Sequence, residues 1–239
     1  MLDDLVQVQK GPFYPAQLVL ELACAAQRTN GSYIKTGEVI YTDDGKAVAY
    51  KYSNKELIKF MLEGYNKFNQ VGDFKPQLLN TNTSDTALVE DIRKHYRKLA
   101  FSAVAGDNDF QTVVHNILQS ETIASSYIGY AACLPSVYAK DVIQSGVKKA
   151  SKNLDEGYLG DVGSLLTDLD CEILESTKSK NFEGYLICAI INNKMANWFS
   201  KHNLNLGPCV VIKAKVKEHS THWKHGNPVT RLNFVKAAQ

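Results

Sequence analysis

No stretch of this chain approaches the roughly 20 consecutive apolar residues that a membrane-crossing helix needs; runs such as Leu186 to Ile191 stop far short of it. The opening Met1-Leu2-Asp3-Asp4 lacks the basic-then-apolar layout of a secretory signal. A cytoplasmic protein with no membrane association is therefore expected. The five cysteines, at 24, 133, 171, 188 and 209, are odd in number and scattered, with no CxxC spacing. That argues against a disulfide framework and a cysteine-built zinc site, and leaves small buried thiols. Also missing are GxSxG, GxxxxGK(S/T) and HExxH, while the acid pairs Asp3-Asp4 and Asp43-Asp44 sit in a terminus and a turn, where Asp serves local hydrogen bonding. A protein that is not an enzyme, and that carries no cofactor and no metal, is the expectation. No internal repeat appears at the usual periods.

What is present is ordinary in bulk and uneven in detail. With 239 residues, 44% hydrophobic and 22% charged, the chain can bury one good core or two modest ones. The net charge of +2 is small, yet residues 205 to 239 carry six Lys/Arg against the single acid Glu218, a local +5. Within that segment, two-residue alternation over Val210 to Lys217 places Val210, Ile212, Ala214 and Val216 on one face of a strand and Lys213, Lys215 and Lys217 on the other. A polar loop holding His219, His222, Trp223, Lys224 and His225 follows, then a second strand from Val229 to Lys236 that includes Arg231. Ammonium groups beside an aromatic ring suit a single-stranded nucleic acid, with cations for the phosphates and a ring for a base face. The competing reading is an edge strand whose lysines block unwanted pairing.

Along the rest of the chain, residues 12 to 28 space Leu18, Val19, Leu22, Ala25 and Ala26 as a helix ending near Asn30-Gly31. Residues 37 to 52 read as a β-hairpin turned at Asp44-Gly45. Asn54 is the expected cap of the next helix, Ser84-Asp85 the cap of another, and a helical stretch from Asp107 to about Lys152 is expected to break near Leu134-Pro135. After Lys148 to Asn153 strand-like runs dominate. The fold class expected is α+β, with a mainly helical domain over 1–153 bearing the hairpin and a small OB-like β-barrel over 154–239.

The C-terminal motifs are Tyr158-Leu159-Gly160-Asp161-Val162-Gly163, Phe182-Glu183-Gly184-Tyr185, Asn197-Trp198-Phe199-Ser200, Lys215-Val216-Lys217-Glu218-His219 and the run from Val229 to Lys236. Together they resemble a segment of bacteriophage replication and recombination proteins that forms an OB-like barrel. The resemblance covers the last third of the chain. It implies single-stranded DNA binding, with DNA favoured over RNA, carried by Trp198, Phe199, Lys215, Lys217, His219, Thr230 and Arg231, in a host-cell cytoplasm. The loop around Trp223 departs from the pattern. Of Trp198 and Phe199, neighbours on one strand, only one can face outward.

The expected interface is thus Lys213, Lys215, Lys217, His219, Trp223, Lys224, Arg231 and Trp198. A second contact is conceivable at Arg93, Lys94, His95, Arg97 and Lys98, against the reading of a solvated helix face partly neutralised by Glu90 and Asp91. The alternative function is a protein-interaction adaptor for replication, transcription or host factors, its lysines guarding an edge and its tyrosines Tyr127, Tyr130 and Tyr138 forming the docking surface. A weaker alternative is a metal-dependent nuclease using Asp168 and Asp170, with Glu172 alongside. The spacing of His219, His222 and His225 fits a metal site poorly, because Gly226 and Pro228 oppose a helix there.

Overall fold

The computed structural model describes residues 11–64, 71–100, 109–179, 183–222 and 226–238, so Trp223, Lys224 and His225 lie outside the described residues. The protein is α+β. Its internal contacts divide it into two units, Met1–Ala139 and Lys140–Gln239.

In the first unit β1 (Phe13–Pro15) leads into α1 (Ala16–Asn30), the hairpin strands β2 (Glu38–Tyr41) and β3 (Ala47–Lys51), and then α2 (Asn54–Glu63), α3 (Thr83–Ala100), α4 (Asp109–Gln119) and β4 (Thr122–Ala124). Strands β1 and β4 pair with each other and are too short for alternation to reveal in sequence. Helix α1 buries Val19, Leu20, Ala23 and Ala26 and stops at Gly31, in the left-handed conformation, whose N–H donates to the Arg28 carbonyl.

The helix caps differ from expectation by one or two residues. Ser53, not Asn54, caps α2, trading side-chain and backbone hydrogen bonds with Glu56. Asn54 is instead fully buried, its Oδ1 accepting from Asn30 Nδ2 and the Ile34 N–H, both at 2.9 Å. At α3 the cap is Asn82: its Oδ1 accepts from the N–H groups of Ser84 and Asp85, while Asp85 reaches back to the Asn82 N–H and pairs with Arg28 at 2.8 Å. Several adjacent Ser, Asn and Asp can each cap a helix, and burial decides which one does.

Helix α5 (Ile128–Ser151) runs straight through Pro135, where a break was expected. Ala131, Ala132 and Leu134 are fully buried around it, and that packing holds the helix together despite the missing N–H. The division of contacts falls inside α5, earlier than the composition change near residue 153. Its last turns belong with the second unit because Ile143 and Val147 pack on Cys188, Met195 and Val229.

That second unit is a closed barrel of β5 (Leu165–Lys178), β6 (Tyr185–Ile191), β7 (Lys194–Ser200), β8 (Gly207–Thr221) and β9 (Pro228–Ala238), ordered β5-β6-β7-β9-β8. All neighbours are antiparallel except β7 and β9, which run parallel. This is the five-stranded Greek-key arrangement of an OB-like barrel. Ile173, Ile187, Ile191, Trp198, Val211, Val216 and Leu232 fill its interior. Before β5, the chain straps across the barrel: the Leu159 N–H donates to Thr230 Oγ1 at 2.8 Å, satisfying a hydroxyl with no solvent exposure. Among the described residues no helix is long and apolar enough to cross a membrane.

Candidate nucleic-acid interface

Strand β8 carries the three lysines, and its two flanks are occupied by β5 and β9. It is therefore an interior strand of a closed sheet, and its lysines guard no open edge. All three are exposed, while Ala214 and Val216 between them are buried. None forms an ion pair with any described residue.

The apolar half of the expected alternation is only partly realised. Val210 and Ile212 are 40% and 36% exposed, and Cys209 and Val211 take the inward positions. A bulge between Val211 and Lys213 inserts Ile212 against β9, so Ile212 and Lys213 both face outward and the phase reverses. A second bulge, between Val216 and Glu218, accommodates Lys217.

Register pairing extends the basic surface to the neighbouring strands. Lys213 faces Thr167 on β5 and Lys236 on β9, and Lys215 faces Leu165 and Asn233. Lys236 is exposed, and like the β8 lysines it has no ion pair among the described residues. Sequence reasoning counted Lys236 in the local charge without placing it here. Further along β5, exposed Asp168, Asp170 and Glu172 make the opposite end of the outer surface acidic. The positive region is bounded as a result.

Other expected contacts have structural employment. Arg231 pairs with Glu218, its partner in register. His219 stacks flat on Tyr158, ring centroids 4.1 Å apart and planes 3° from parallel, and its Nε2–H donates to the Gly160 carbonyl at 2.9 Å. Gly160 itself has φ +68, and a side chain there would meet Ser164 Oγ at 2.9 Å. Thr230 serves Leu159, as described. Trp198 must be corrected outright: it is 2% exposed in the barrel core and offers no ring face to a base. Phe199 is the outward member of that pair, 57% exposed and opposite Leu186.

Oligonucleotide-binding barrels of this type use the face of their second and third strands. Here those strands are β6 and β7, and the outward side chains Cys188 and Met195 are buried beneath Ile143 and Val147 of α5 and Leu154. The helix occupies the centre of that face, leaving the surface of β8 and its neighbours as the open one. Burial pushes the Cys188 thiol up to about 12, with Glu175 adding to the effect.

In the first unit, the basic residues of α3 are divided. Lys94 and Arg97 are exposed, Arg93 lies 3.8 Å from Glu90, and His95 is held edge-on between the rings of Tyr96 and Tyr138. The side chain of Lys98 is outside the described residues. Tyr127 and Tyr138 pack against the helical core, and Tyr130, 37% exposed, lies against the rings of Phe110 and Tyr127 with centroids 6.0 and 5.9 Å away. Among the described residues no three His, Cys, Asp or Glu side chains converge to hold a metal ion. No protein-family model, curated protein or solved structure matches this chain.

Proposed function

We propose that this chain binds single-stranded nucleic acid through the outer surface of β8 and its neighbours, as a non-enzymatic accessory protein in phage-like DNA replication or recombination within the host cytoplasm. The observation that carries the reading is the exposed ammonium groups of Lys213, Lys215 and Lys217, without an ion pair among the described residues, on a strand bonded along both sides. Lys213, Lys215, Lys217 and Lys236 have no carboxylate partner among the described residues, and self-repulsion of that kind is relieved by a polyanion. The preference for DNA, and the phage setting, rest on the resemblance of the C-terminal motifs.

A fluorescent oligo(dT) titrated at several salt concentrations tests this. If all four lysines meet phosphates, the slope of log K against log salt is about −3, at roughly −0.7 per phosphate of a single strand. Replacing Lys213, Lys215 and Lys217 by Ala brings the slope to about −1. RNA and duplex of matched length bind more weakly in the same assay. Absence of binding at low salt would end the reading.

A further inference from the structure

We infer that Phe234 is a base-stacking platform, the group that would make the lysine surface prefer exposed bases over a bare sugar-phosphate chain. The inference rests on the proposed nucleic-acid binding and assigns it a specific contact outside the β6–β7 face.

The evidence is a local backbone irregularity with a clear consequence. Strict alternation along β9 from the buried Leu232 would place Phe234 inside the barrel. Between the pairs Lys215–Asn233 and Lys213–Lys236, however, two residues of β9 oppose the single residue Ala214 of β8, which is a β-bulge. Phe234 takes φ +53 in that bulge, a conformation that glycine occupies freely and a bulky side chain rarely adopts. The outcome is that Val235 packs on the core and Phe234 is 80% exposed.

Three features here oppose stability together. A large apolar ring lies in water, a non-glycine residue holds a left-handed backbone, and Lys213 and Lys236 face each other as like charges. Breaches of local rules concentrated at one place mark functional surfaces. The ring lies in sequence between the partners of Lys215 and Lys213, so a nucleotide backbone on those amines would carry its bases toward it. Only an unpaired base presents its face for stacking, which selects a single strand over a duplex. A protein partner would also cover an apolar ring, but would have to match Lys213, Lys215 and Lys236 beside it, which have no ion pair among the described residues.

The test uses the full chain with two probes of equal length, oligo(dT) and an abasic oligonucleotide, at one salt concentration. Wild type is expected to bind oligo(dT) about 5- to 140-fold more tightly than the abasic probe. Phe234→Gly, which suits the backbone conformation and preserves the fold, removes that preference while leaving abasic binding and the salt slope unchanged. Phe234→Tyr restores it. If wild type prefers bases and Phe234→Gly keeps the preference, or if wild type binds both probes alike, the platform is wrong although the lysine surface stands. If wild type binds neither probe at low salt, both proposals fall.

Discussion

Lys213 and Lys236 stand directly opposite each other on the outside of the barrel, one on β8 and one on β9. Like charges in direct register destabilise a sheet, whereas opposite charges there contribute roughly 0.2–1 kcal/mol. Lys236→Glu is therefore expected to raise the urea midpoint while weakening oligonucleotide binding and flattening its salt dependence. A variant that gained stability and bound as before would remove Lys236 from the interface.

His219 belongs to the architecture of the barrel rather than to its open surface. The stack on Tyr158 and the hydrogen bond to Gly160 anchor the strap ahead of β5. His219→Ala should lower stability by about 1–2 kcal/mol, combining one aromatic stack with one hydrogen bond. The salt slope of binding should not move. Urea denaturation beside salt titration of the same variant separates the two roles.

Trp198 sits in the barrel core, so its fluorescence reports folding and not ligand stacking. In a Trp223→Phe chain, where Trp198 is the remaining tryptophan, saturating oligo(dT) should leave the emission nearly unquenched. Trp198→Ala should cost about 3–5 kcal/mol through the cavity it opens. Strong quenching on binding, with the fold intact, would contradict this placement.

Three thiols make the protein sensitive to alkali. Burial, the largest cause in each case, raises Cys24, Cys171 and Cys188 from 9.0 to about 12, with Asp85 and Glu21 adding at Cys24 and Cys209 at Cys171. A raised thiol keeps its proton longer in the folded state, so the folded chain holds more protons between those two values. The stability so contributed is fully present below about pH 9 and is lost as pH rises toward 12. Urea midpoints at pH 8 and pH 10.5 should show the fall, and Cys188→Ala should lessen it. A midpoint that stayed level over that interval would refute the assignment.

The fold was largely legible in the sequence because its signals are local. Asp44-Gly45 between two alternating runs specifies a hairpin, 3.6-residue spacing specifies α1 through α3, and the strand runs after residue 153 lie in the barrel. The interface was legible only in part. Alternation identified the outward side of Lys213, Lys215 and Lys217, but it also placed Val210 and Ile212 inside and gave no sign of Phe234. Trp198 and Phe199 could not be told apart, since either of two strand neighbours may be the inner one until the sheet has closed. Residue type alone proposed Arg231 and His219, without showing that Glu218 and Tyr158 already engage them.

The sequence by itself determined most of the longer helices and strands, though not the short β1 and β4 nor the continuity of α5 through Pro135, and it determined that the last 35 residues carry an excess of positive charge, because these follow from the spacing of side chains along one chain. Tertiary structure decided which faces are open. The three bulges between β8 and β9 set the phase of each side chain, and bulges arise from pairing with a strand elsewhere in the chain. The covering of the β6–β7 face by α5 likewise depends on residues some 50 positions apart meeting in space, a long-range packing event with no local signature.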